Sequence, residues 1–121
     1  VTFQPPPLER YRKEIEQALT HSIEISTFDR VSEAVRSGHA QYWPLGNSVI
    51  ITQIAAGGVL HFWIAGGNMQ EIQAATPTIL AWGKEQGCTI ATLTGRRGWL
   101  RSFLGRTGWK ESRIVNMECA L

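Results

Sequence analysis

Two apolar, β-rich runs, residues 48–56 and 59–65, meet at Gly57-Gly58. A glycine pair between such runs signals a tight two-residue hairpin, because the favoured turns need positive φ at their centre. This hairpin divides the chain. Before it the apolar period is helical: Leu8, Tyr11, Ile15, Ala18 and Leu19 share one face, with Glu9, Arg10, Lys13 and Glu14 on the other. Thr27 is placed to cap a second helix carrying Phe28, Val31, Ala34 and Val35, and Gly38 ends it. After the hairpin, Gly66-Gly67 closes the second strand. Asn68 with Glu71 three residues on predicts a capping box that opens a third helix, with Met69, Ile72, Ala75, Ile79, Leu80 and Gly83 along one face. Pro77 makes this either one kinked helix or two short ones, with Thr76 capping the second. Gly87 closes it. Residues 88–94 read as a buried strand, 96–106 as a short amphipathic helix and 110–121 as a final strand.

The order helix, helix, hairpin, helix, strand, helix, strand implies crossover connections and an α/β layer structure. At 121 residues the chain holds one domain, residues 8–121, preceded by an arm, residues 1–7, that ends in Pro5-Pro6-Pro7 and favours polyproline II. The arm is too polar and proline-rich to join the core and is suited to lie along a neighbouring subunit. With 43% hydrophobic residues the chain can fold without disulfides or a structural metal. Cys88 and Cys119 lie on strand-like stretches and read as buried thiols. Without a C-x-x-C, the scattered His21, His39 and His61 give zinc no ligand set. No apolar run approaches the roughly 20 residues of a membrane span. No basic-then-apolar leader is present, so the expectation is a domain that is not secreted.

Charge is uneven. Residues 1–94 carry six basic and eight acidic side chains, whereas residues 95–113 carry six basic ones against Glu111 alone. Such a cluster, with Trp99 and Trp109 inside it, is one footprint of phosphate or single-strand binding. The bland alternative is the solvated face of a short helix. A net charge of only +2 argues against nucleic acid as the partner.

The segment Gly87-Cys88-Thr89-Ile90-Ala91-Thr92-Leu93, the stretch around Trp99 and Phe103, and Gly108-Trp109-Lys110-Glu111 resemble the GNAT superfamily of N-acetyltransferases. Further, Gln41-Tyr42-Trp43-Pro44, the run from Leu60 to Gly67 and Gly95-Arg96-Arg97-Gly98-Trp99 resemble a short GNAT-like protein of tailed bacteriophages and prophages. The resemblance implies an α/β (α+β) fold: a central mixed, mostly antiparallel sheet with two N-terminal helices and further helices packed on it. It implies a place in the host cytoplasm or in the virion, and partners among phage structural proteins or further copies of the chain.

The family holds acetyl-CoA pyrophosphate with a Gln/Arg-x-x-Gly-x-Gly/Ala loop before its central helix, where small residues let backbone N–H groups reach the phosphates. Here that place reads Ala65-Gly66-Gly67-Asn68-Met69-Gln70, shorter and without the Gln/Arg. The tyrosine that many members use as acid, four residues before the Gly-aromatic pair, is Leu104. The hairpin carries no carboxylate to serve as base, and His61 is its only titratable group. Strict alternation puts His61, Trp63 and Ala65 on one side of their strand and Leu60, Phe62 and Ile64 on the other. The expectation is therefore a non-catalytic module that needs no cofactor. Its contact candidates are Tyr42, Trp43, Trp63, Trp99 and the Arg96, Arg97 and Arg101 face, tryptophan and arginine being the composition of interface hot spots. The alternative is an N-acetyltransferase in which Gly66, Gly67 and Asn68 meet the pyrophosphate of acetyl-CoA, Arg96 or Arg97 reaches its 3′-phosphate and His61 acts as base.

Overall fold

The computed structural model describes residues 6–20, 27–93, 110–111 and 117–120. A 3-10 turn, Leu8–Tyr11, leads into α1, Arg12–Leu19, and then α2, Phe28–Arg36. Next come β1, Gln41–Pro44, β2, Val49–Ala55, and β3, Val59–Gly66. Helix α3, Met69–Glu85, is followed by β4, Ile90–Leu93, β5, Lys110–Glu111, and β6, Met117–Ala120. The six strands form one sheet in the order β1-β2-β3-β4-β6-β5. Among the described residues only β3 and β4 run parallel; every other neighbouring pair is antiparallel. This is a mixed, mostly antiparallel sheet with helices on both faces. The parallel pair follows from α3, which carries the chain from the end of β3 back to the start of β4.

Several elements form for local reasons. The Thr27 side chain accepts from the Arg30 N–H at 3.3 Å and starts α2. The β2–β3 connection has three residues, Ala56 to Gly58, one more than the glycine pair alone suggested, with Gly57 and Gly58 at φ +87° and +74°. Helix α3 is one continuous helix with Pro77 inside it, and no second cap intervenes. Thr76 instead turns its hydroxyl back onto the Ile72 carbonyl at 2.7 Å.

Two corrections concern strands. β1 pairs along β2 from Gln41↔Thr52 to Pro44↔Val49 and forms the sheet edge, although no strand was expected there. The expected single strand over 110–121 is two, β5 and β6, paired antiparallel. The expected helix over 96–106 lies outside the described residues, as do Arg96, Arg97, Trp99 and Arg101.

Val49, Ile50 and Ile51, consecutive in β2, are all buried because each sheet face is covered there, whereas Ile54 near the hairpin turn is exposed. Val49 and Ile51 join Ile64, Tyr11, Ile15, Phe28 and Val31 under α1 and α2. Ile50 joins Leu60, Phe62, Ala65, Ala91 and Leu93 under Ile72 and Ile79 of α3. Gly83 brings α3 close to the sheet, since a Cβ there would lie 2.6 Å from Leu60 Cδ2. Cys88 is a buried free thiol in the α3 layer.

Candidate functional site

Of the residues singled out in the sequence, His61, Trp63 and Gly66 lie on β3 and Gly67 and Asn68 at the start of α3, whereas Tyr42 and Trp43 lie on β1. β3 does not alternate as expected. Its register against β2 shifts between Ile51↔Ile64 and Thr52↔Phe62, so Trp63 is an extra residue, a β-bulge. Below the bulge Leu60 and Phe62 face α3; above it Ile64 faces α1 and α2, while Ala65 faces α3. Ile64 and Ala65 have therefore exchanged the faces that strict alternation gives them.

His61 is half-buried on the face away from α3, with Gln53 and Thr92 as its cross-strand partners. Its Nδ1 lies 2.7 Å from Thr92 Oγ1. That contact fixes the ring and gives it a neutral hydroxyl partner.

The start of α3 is filled by the chain itself. A Cβ on Gly66 would lie 2.6 Å from the Glu14 carbonyl oxygen, so the glycine admits α1. A Cβ on Gly67, at φ +116°, would lie 2.6 Å from Ser48 Oγ and 2.8 Å from the Asn47 carbonyl oxygen, so this glycine admits the β1–β2 loop. Asn68 Oδ1 accepts from the Gln70 and Glu71 N–H groups at 2.8 and 3.2 Å. The second half of the capping box is altered. Glu71 does not return to the Asn68 N–H, which donates to Ser48 Oγ at 2.7 Å; Ser48 Oγ in turn donates to Glu71 Oε1 at 2.6 Å. Glu71 Oε2 accepts from the Asn47 N–H at 3.4 Å. Three of the amides that a phosphate needs are thus already bonded, and a carboxylate stands beside them. The residues present do not fit the pyrophosphate of acetyl-CoA at this loop.

Of the contact candidates among the described residues, Tyr42 and Trp63 pack on the α1–α2 layer and Trp43 on the α3 layer. Tyr42 and Trp43 are neighbours on an edge strand and point to opposite faces. Tyr42 packs edge-on to Tyr11 with centroids 6.2 Å apart, and its hydroxyl donates to the Pro6 carbonyl at 2.7 Å. Burial, and to a lesser degree the neighbouring Tyr11, push the Tyr42 phenol up to about 12, against a smaller lowering by Arg10. The end of the N-terminal arm is thereby fastened to the sheet edge of its own chain. Trp43 packs edge-on to Trp82 in the α3 layer at 5.4 Å, and its Nε1 donates to Thr52 Oγ1 at 2.9 Å. Trp63 packs on the α1–α2 layer.

Sequence reasoning missed Ser48 and Glu14. Ser48 is fully buried, 23 residues from its partner Glu71, and no local signal marks the pair. Glu14 was read as outward-facing, but its Oε2 is shielded from solvent without a hydrogen-bond partner, as is Trp63 Nε1. Each such atom costs about 1–3 kcal/mol. Among the described residues no three His, Cys, Asp or Glu side chains gather as a metal site, and no helix is long and apolar enough to cross a membrane. No protein-family model matches the chain, and no curated protein or solved structure is significantly similar to it.

Proposed function

We propose that this chain is a GNAT-like domain of a tailed bacteriophage that works without catalysis, as a virion-associated structural, assembly or protein-binding component. The fold side of the reading is supported by two N-terminal helices, a central hairpin, a helix crossing to a parallel strand, and a final antiparallel pair. The observation that carries the loss of catalysis is the filled loop at the start of α3. Gly66 and Gly67 there admit Glu14 and Ser48 of the same chain instead of a ligand's phosphates. The hairpin's lack of a carboxylate points the same way.

The test is sedimentation velocity on the purified chain, together with mass spectrometry of purified phage particles. The reading predicts self-association, binding to a phage structural protein, or presence in the particle. A strictly monomeric chain absent from particles contradicts it.

A further inference from the structure

At the start of helix α3 three backbone donors already have acceptors. Asn68 Oδ1 takes the Gln70 and Glu71 amides, Ser48 Oγ takes the Asn68 amide, and the same Ser48 hydroxyl gives its proton to Glu71 Oε1 at 2.6 Å. The β1–β2 loop closes over the carboxylate: Asn47 N–H points to Oε2, and a Cβ on Gly46 would lie 2.9 Å from that oxygen. A carboxylate in the first turn of a helix complements the positive end of its dipole. Ser48 is fully buried, so the charge-assisted bond it makes is shielded from competing water.

We propose that Ser48 and Glu71 form a built-in lock that holds α3 to the β1–β2 loop and, with Asn68 and Ser48 already on the amides and the Glu71 carboxylate beside them, turns an incoming phosphate away. The proposal rests on the reading of the domain as independent of acetyl-CoA, and it assigns Ser48 and Glu71 a joint role. A ligand phosphate arriving here meets a like charge and amides that already have acceptors.

The experiment compares the melting temperature of the wild type, Ser48→Ala, Glu71→Gln and the double variant, with and without millimolar pyrophosphate or acetyl-CoA. Each single change is expected to lower Tm by roughly 5 °C, as loss of a charge-assisted bond does in a domain of this size. The double variant is expected to lose clearly less than the sum of the two single losses, because both changes break the shared Ser48–Glu71 contact while each also removes one bond of its own. Pyrophosphate is expected to leave the wild type unchanged. Additive losses, or a wild-type Tm raised by pyrophosphate, overturn the lock. A Tm raised by acetyl-CoA but not by pyrophosphate leaves the lock standing and overturns the cofactor-independent reading instead. Should Ser48→Ala not fold, amide exchange in Glu71→Ala reads the same contact. Exchange at Asn47 and Asn68 is expected to accelerate roughly tenfold or more, and unchanged exchange refutes the lock.

Discussion

Gly66→Ala isolates the packing of α1 on the sheet, because the backbone at this residue is not among the positive-φ glycines and the substitution changes only space. The new Cβ would lie 2.6 Å from the Glu14 carbonyl oxygen and 3.0 Å from its carbon. Both distances are well inside the roughly 3.5 Å at which non-bonded heavy atoms reach contact. The atoms met are helix backbone, so no side-chain rotamer relieves the clash and α1 itself has to move. That movement opens the layer holding Tyr11, Ile15, Val31 and Ile64. Overpacking of this kind costs about 1–3 kcal/mol, and a rigid backbone obstacle puts the change near the top of that range. For a chain of 121 residues each kcal/mol moves Tm by roughly 3–6 °C, so a fall of about 10 °C is expected. Urea unfolding followed by tryptophan fluorescence gives the same quantity independently. Lys13→Ala, on the exposed side of the same helix, should stay within about 0.5 kcal/mol of the wild type. Shortening Glu14 to alanine in the Gly66→Ala background should restore nothing, because the obstacle is the carbonyl. A Gly66→Ala melting point within the Lys13→Ala margin, or rescue by the Glu14 change, refutes the packing argument.

Trp43→Phe removes the 2.9 Å bond to Thr52 and trims the edge-on contact with Trp82; calorimetry should register a loss of about 1–2 kcal/mol. Thr27→Ala removes the α2 cap, whose 3.3 Å bond is long, and should cost about 0.5–1 kcal/mol by urea unfolding. The Tyr42 phenol, near 10 when unfolded and about 12 in the fold, binds its proton more tightly in the native state. Its contribution is therefore complete below pH 10 and lost as pH rises towards 12. Absorbance titration of Tyr42→Phe beside the wild type should show one high-pH phenol missing, and a wild type without that late transition contradicts the assignment.

Elements whose signals lie within a few residues were legible from sequence. Thr27 before Phe28, Asn68 before Met69, and Gly57-Gly58 between apolar runs each mark a boundary by their own backbone chemistry. β1 was not legible, because its four residues are all half-buried and Pro44 ends it, leaving no alternation to read. The bulge at Trp63 was not legible either. It is set by the register with β2, and nothing in the run from Leu60 to Gly66 announces an extra residue. The candidate site was readable only in part. Gly66, Gly67 and Asn68 were visible as a loop before a helix, but what fills the space beside them comes from Glu14 and Ser48, far away in sequence. A glycine pair that admits a phosphate and one that admits the chain's own backbone look alike until the neighbours are in place.

Isothermal titration of acetyl-CoA into the purified chain tests most directly whether this domain works without that cofactor. The account predicts no saturable heat at millimolar ligand, with Glu71 and the packed Gly66-Gly67 loop intact. Saturable one-to-one binding with a micromolar Kd would contradict it.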